Sequence, residues 1–327
     1  MNYKRLGRSG LRVSDVGLGT MTMGGQVDEA TSLRMLDRAF DAGVNLIDTA
    51  EQYASPPTAL SYGKSEEIVG KWLTGKPRDA VIVATKLSGP NDNMYGYQMN
   101  HIRHGATAFD RHHLTRALEG SLKRLGTDYV DLYQTHWPDR ATPLDLQLEA
   151  MARLVEAGKV RYFGVSNETP WGLTKLCTAA DASRRPRVVA IQNLYNLLQR
   201  EVEAGLAEVC REEGVGLIAY SVLAMGVLTG KYAGGALPKG ARLEAFPRYR
   251  AWGYGAPAML ARADKAVAIA RQAGLEPAPM AIAWVRSRPF VASALSSATR
   301  LEHVDTFLKG AALTLSSDVL DALEKLD

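Results

Sequence analysis

Residues 129–166 open with Tyr129-Val130-Asp131-Leu132-Tyr133-Gln134-Thr135-His136, pass through the helical stretch Leu144–Ala157 to Gly158, and close on Val160-Arg161-Tyr162-Phe163-Gly164-Val165-Ser166. The two outer runs are short, apolar and rich in β-branched or aromatic residues, which is the composition of a strand. The middle run has helical spacing and stops at a glycine, as helices do. Strand, helix and strand in that order form a βαβ unit, whose two strands run parallel.

The same alternation extends in both directions. Further strand-like runs are Val16–Thr20, Val44–Thr49, Ala80–Lys86, Val188–Asn193, Val215–Ser221 and Phe290–Ser296, making eight in all. Helical patterns occupy Asp28–Ala42, Ser65–Leu73, Asp110–Leu125, Pro170–Ala182, Arg200–Glu213 and Pro277–Arg288. Asp28 reads as an N-cap and Gly43 as a stop, and Leu114, Leu118, Leu122 and Leu125 share a face before Gly126. Eight strands alternating with helices predict a parallel sheet, and right-handed crossovers close such a sheet into a barrel. A doubly wound open sheet is the structural rival. It calls for Gly-x-Gly-x-x-Gly after the first strand, and Gly17-Leu18-Gly19-Thr20-Met21-Thr22 lacks the third glycine. The expected fold is therefore an α/β, (β/α)8 TIM barrel forming a single domain over residues 1–327. Outside the repeat lie a hairpin at 2–14 across Gly7–Gly10, an extra helix at 259–273 and a closing helix at 316–326. Three long loops, 53–64, 87–109 and 222–257, follow strands and so belong on the C-terminal face, where barrel enzymes place their chemistry.

Composition narrows the classes. The chain has 327 residues, 46% hydrophobic and 23% charged, with a formal net charge of +4. That is the profile of an ordinary globular protein. The charges are interleaved, and the densest basic cluster, Arg184, Arg185 and Arg187, reads as a solvated loop, so no nucleic-acid partner is expected. No uncharged apolar run reaches about 18 residues, so no membrane span is expected. The N-terminus leads into no apolar signal region. Cys177 and Cys210 fall in separate helices and form no disulfide framework, and the expected location is cytoplasmic. His101 and His104 lack a supporting set of ligands, so no metal site is expected. Tyr95, Tyr97 and Phe109 in the second long loop read equally well as cleft lining or as loop packing.

The strand ends carry the chemistry. Strand two ends in Asp48, with Tyr53 five residues on; strand three ends in Lys86 and strand four in His136. In a barrel these neighbouring ends converge on one mouth. A free phenol, with a pKa of about 10, is a weak acid at neutral pH, and a nearby ammonium lowers it. Lys86 is placed to do this while Asp48 anchors it, and His136 to orient a carbonyl oxygen beside Tyr53. The set supplies a proton and hydrogen bonds to an oxygen that gains negative charge. That suits carbonyl reduction, provided a nicotinamide or flavin delivers hydride, since no side chain can. A Schiff-base lyase is the other chemistry that such a lysine permits.

On these residues the chain resembles the aldo-keto reductases, NAD(P)H-dependent barrel enzymes, over nearly its whole length. The opening Tyr3–Leu11 segment, Gly43–Ala50 with Tyr53, and Lys159–Asn167 match the family's motifs. Ile47–Glu51, Pro56-Pro57, Tyr133–Pro138 and Val165–Thr169 are similar to its bacterial Tas-like branch. The resemblance implies that Asp48, Tyr53, Lys86 and His136 are catalytic: Tyr53 the general acid, Lys86 and Asp48 tuning it, His136 orienting the substrate. It implies Gly19, Thr20, Met21 and Asp48 beside the cofactor, Ser166, Asn167 and Gln192 at the nicotinamide carboxamide, and Tyr220 against its ring. Ser221, Leu223, Gly226 and Leu228 would wrap the pyrophosphate, and Lys231 and Arg242 would pair with phosphates. After strand eight, Ser297, Thr299, Arg300 and His303 occupy the adenine end. There Ser297 and Phe307 depart from the family pattern. NADPH is the expected cofactor, with NADH as the alternative, and the partner is a small carbonyl substrate. The family allows a monomer or a homo-oligomer. It also contains barrels resembling potassium-channel β-subunits, which bind NADP(H) and a partner, so a regulatory barrel with little turnover is the alternative reading.

Overall fold

The computed structural model describes residues 1–90, 100–105 and 107–326. Tyr95 and Tyr97 lie outside the described residues, while Phe109 is buried in the core. Two short strands, β1 (Tyr3–Arg5) and β2 (Arg12–Ser14), pair antiparallel as the expected hairpin. Eight more follow: β3 (Val16–Gly19), β4 (Leu46–Asp48), β5 (Ile82–Leu87), β6 (Val130–Thr135), β7 (Val160–Ser166), β8 (Val188–Leu194), β9 (Gly216–Tyr220) and β10 (Val291–Ser297). These pair in parallel, each with the next, and β10 returns to β3, closing the barrel. The fold is a (β/α)8 TIM barrel.

The outer helices are α1 (Glu29–Asp41), α2 (Lys64–Leu73), α3 (Arg111–Leu125), α4 (Leu144–Glu156), α5 (Pro170–Ala182) and α6 (Leu206–Glu213). Two short helices, α7 (Arg242–Ala245) and α8 (Arg248–Ala251), precede α9 (Pro257–Gln272), α10 (Pro277–Ser287), α11 (Leu301–Ala312) and α12 (Ser317–Glu324). Local chemistry explains several of the boundaries. Asp28 caps α1 by accepting the Thr31 amide at 2.8 Å. Gly126 ends α3 in the left-handed region, which glycine enters without a Cβ penalty.

Three departures from the sequence reading have physical causes. The sequence reading assigns no helix directly after β10, yet 301–312 is the eighth barrel helix, with Val304, Phe307 and Ala311 buried. The Arg200–Glu213 run is broken: a 3-10 turn at Glu201–Glu203 gives way at Gly205, φ 135°, before α6 begins. The loop 222–257 is largely structured, carrying 3-10 turns as well as α7 and α8.

The interior of the barrel is layered. Its lower part is apolar and is plugged by Leu6, Leu11 and Val13 of the hairpin, which pack against Leu46, Ile82, Leu132 and Ile218. Gly7 makes this plug possible: at φ +53°, a Cβ there would sit 2.2 Å from the Val189 carbonyl. The upper layer is polar instead, formed by Asp48, Lys86, Gln134 and Gln192, all buried. A second, larger apolar shell fills the space between strands and helices. No helix among the described residues is long and apolar enough to cross a membrane.

Candidate active site

A buried ion pair forms the base of the site. Lys86 Nζ donates to Asp48 Oδ2 at 2.5 Å and to the Thr49 carbonyl at 2.9 Å, and is fully buried. The other Asp48 oxygen accepts from Gln192 Nε2 at 2.8 Å and from Gln134 Nε2 at 3.3 Å. Gln134 was not singled out from the sequence; its inward position in β6 was the available signal. Parallel register accounts for the convergence, because Asp48 stands opposite Ala84 and Lys86 opposite Gln134.

Tyr53 and His136 stand above this pair. Their rings meet edge to face at 5.6 Å, and Lys86 Nζ lies 5.1 Å from the Tyr53 ring centroid. Trp137 stacks nearly parallel to His136. Burial pushes the Tyr53 phenol well above its ordinary value, and the charge of Asp48 adds to this. That reverses the expected direction, in which Lys86 lowers Tyr53. The reason is that burial outweighs the Lys86 ammonium, whose countercharge, Asp48, also acts on the phenol. Burial lowers the Lys86 ammonium, opposed chiefly by Asp48. Burial and the Lys86 charge hold His136 well below the ordinary imidazole range, so it is neutral at physiological pH. Its Nδ1 has no hydrogen-bond partner among the described residues.

From these groups a cavity of about 1190 Å³ runs along the C-terminal face toward β10. Gly19, Met21, Asp48, Ser166, Asn167, Gln192, Tyr220, Ser221, Leu223 and Gly226 line it, as do Lys231, Arg242, Ser297, Thr299, Arg300 and His303. Three expected residues do not. Lys86 lies beneath the floor, fully buried against Asp48. Thr20 is buried behind the wall, its amide and hydroxyl both donating to the Asp48 carbonyl. Leu228 is buried in the core. Asn167 and Ser221 adopt left-handed backbone, φ 57° and 55°, at the points where the chain turns from strand into loop. The Tyr220 hydroxyl donates to Asn167 Oδ1 at 2.7 Å, and the Asn167 amide group donates to the His136 carbonyl at 2.9 Å. The strand-end polar groups are thus held by one another. The 222–257 segment adds Phe246, Tyr249, Trp252 and Tyr254 to the wall, an aromatic set that the sequence reading left unassigned.

The far end of the cavity is cationic. Among the described residues, no carboxylate lies within ion-pair distance of Lys231, Arg242 or Arg300. Desolvation together with Arg242 and Arg300 lowers the Lys231 ammonium. His303 is lowered by burial and then by Arg300 and Lys231, and accepts from Arg300 Nε at 3.2 Å. Mutually repelling cations facing one cavity are the electrostatic mark of an anion site. Gly226 leaves room beside them, since a Cβ there would meet Lys231 Cε at 2.9 Å.

A barrel with this polar floor and this cationic end belongs to the aldo/keto reductase family, whose model matches residues 15–327. The chain is an NAD(P)H-dependent oxidoreductase. It is 45% identical to the protein tas of Escherichia coli K12, over 99% of this chain and 97% of that one. The L-glyceraldehyde 3-phosphate reductase of E. coli O157:H7 is 33% identical over 99% and 92% of the two chains. A probable voltage-gated potassium channel subunit beta of rice, Oryza sativa, is 34% identical over 99% and 96%.

Proposed function

We propose that the protein reduces aldehyde and ketone carbonyls to alcohols with NADPH, using Tyr53 as the proton donor. One observation carries this reading. Tyr53, His136 and Asp48, the last paired with the buried Lys86, line a single cavity with Lys231, Arg242 and Arg300. The residues present fit a dinucleotide. Ser166, Asn167 and Gln192 suit the carboxamide, and the Tyr220 ring suits the nicotinamide face. Ser221, Leu223 and Gly226 suit the pyrophosphate, and the cations suit a terminal phosphate. The cofactor, when bound, supplies hydride to the carbonyl carbon.

The protein's own groups handle the oxygen. Neutral His136 hydrogen-bonds the carbonyl and fixes its direction. Tyr53, with its affinity for the proton raised, is protonated at neutral pH and therefore enters as an acid. As negative charge builds on the oxygen, the phenol gives up its proton and the alcohol forms. The Lys86 ammonium, 5.1 Å from the ring, then faces a phenolate and stabilises it. Asp48 holds Lys86 in place throughout.

The test is titration with NADPH and with NADH by intrinsic fluorescence, followed by NADPH oxidation with 4-nitrobenzaldehyde and a wider carbonyl panel. NADPH binding with turnover lost in Tyr53→Phe supports the reading. Binding of neither nucleotide refutes it. Binding without turnover across the panel favours a regulatory barrel of the kind that the rice relative's name describes.

A further inference from the structure

Glu51 is fully buried, two residues before Tyr53, and does not line the cavity. A buried carboxylate must be paired and hydrogen-bonded or it destabilises the fold. Glu51 meets that requirement through three separate segments. Its Oε1 accepts the Ser88 amide at 2.6 Å. Its Oε2 accepts the Tyr62 hydroxyl at 3.1 Å and pairs with the Arg103 guanidinium. Its own amide donates to the Lys86 carbonyl at 3.0 Å, and its carbonyl accepts the Gly63 amide at 2.9 Å. Glu51 thus grips the C-terminal end of β5 at two points, the carbonyl of Lys86 and the amide of Ser88 just beyond the strand. From the other direction, the Tyr53 amide donates to the Ala50 carbonyl at 3.0 Å, so the turn that carries Tyr53 encloses Glu51.

Arg103 reaches Glu51 from a strained backbone. Arg103 and His104 both sit in the left-handed region, φ 46° and 56°, which is costly for residues with a Cβ. Such conformations persist where surrounding contacts over-determine them, and they cluster at functional sites.

We infer that Glu51 is a positioning residue: its carboxylate staples the Tyr53 end of β4 to the Lys86 end of β5, and Arg103 supplies the countercharge that lets the staple be buried. The inference rests on the reading of Tyr53 as proton donor. Proton transfer and phenolate stabilisation depend on the Tyr53–Lys86 separation, and small misplacements of reacting groups are expensive in rate.

The discriminating variant is the double substitution Glu51→Met with Arg103→Met, which removes both buried charges together, so that neither is stranded, and leaves no side-chain acceptor for the Ser88 amide. Asp131→Asn is the structural control, because Asp131 is a buried ion-pair carboxylate paired with Arg78 and Arg161 away from the site. The readouts are NADPH affinity, kcat with 4-nitrobenzaldehyde, thermal stability and amide hydrogen exchange over residues 50–54 and 86–88. The expected result is a folded double variant with NADPH affinity unchanged, kcat reduced roughly tenfold to hundredfold, and faster exchange confined to those two segments. Asp131→Asn is expected to lose stability while kcat holds. A double variant with wild-type kcat, or with wild-type exchange at 50–54, overturns the inference. If Tyr53→Phe itself retains turnover, the proton-donor reading fails instead, and the exchange measurement decides the staple independently.

Discussion

Replacing Asp48 with asparagine tests the charge arrangement at the base of the site. The carboxylate serves three donors: Lys86 at 2.5 Å, Gln192 at 2.8 Å and Gln134 at 3.3 Å. Asparagine keeps one acceptor oxygen and turns an NH2 toward the remaining donors. Lys86, fully buried, is left with neutral acceptors, the Thr49 carbonyl and the asparagine oxygen, and no countercharge in contact. Removing one partner of a buried pair costs about 3–5 kcal/mol. The cost depends on pH, and its sign follows from Lys86. Burial already lowers its pKa below the ordinary 10.5, and Asp48 is the chief opposing influence. Without Asp48 the folded-state value falls further. Between that value and the unfolded one, the unfolded chain holds a proton that the folded chain does not, so stability rises with pH. The deficit of Asp48→Asn relative to wild type should therefore narrow from about pH 7 to about pH 9, by at most about 1.4 kcal/mol per pH unit. Urea unfolding of both proteins at the two pH values measures this. A deficit below about 1 kcal/mol, or one that does not change with pH, would refute the account of Lys86 as a buried cation held by Asp48.

Other outcomes follow from the same geometry. Arg242→Met and Arg300→Met should each weaken NADPH by about 1.5–3 kcal/mol, roughly tenfold to hundredfold, and NADH far less; fluorescence titration with both nucleotides checks this, and equal losses would remove the phosphate assignment. Gly7→Ala should cost more than about 2 kcal/mol, because a Cβ 2.2 Å from the Val189 carbonyl at φ +53° forces the hairpin plug to move. Its melting temperature should fall while NADPH affinity holds, since the plug closes the opposite end of the barrel from the site. Burial pushes the Cys210 thiol up to about 12 and also raises Cys177, so both should resist alkylation at neutral pH until the protein unfolds. Mass spectrometry after brief reagent exposure, with and without urea, reads this out.

Much of the architecture was legible because it rests on period. Strand runs, helix stops at Gly43 and Gly126, and the N-cap at Asp28 are local signals, and the βα alternation leaves few topologies open. Asp48, Lys86 and His136 stand out because parallel strands all end on one face, so their terminal residues must meet there. The helix at Leu301–Ala312 was hidden. Its N-cap, Arg300, makes no side-chain capping bond, and Phe307 read as a departure at a ligand position when it is also packed in the core.

What the chain by itself determined was the set of reactive groups and the mouth at which they gather, because both follow from spacing along a regular backbone. Only the tertiary structure decided how those groups are charged and held. The proton affinity of Tyr53 is set first by burial and then by the Asp48 charge, which together outweigh the lysine nearby. Gln134 joins Asp48, and Arg103 joins Glu51, across 86 and 52 residues of chain. Burial and pairing are properties of three-dimensional neighbours, and no local period encodes them.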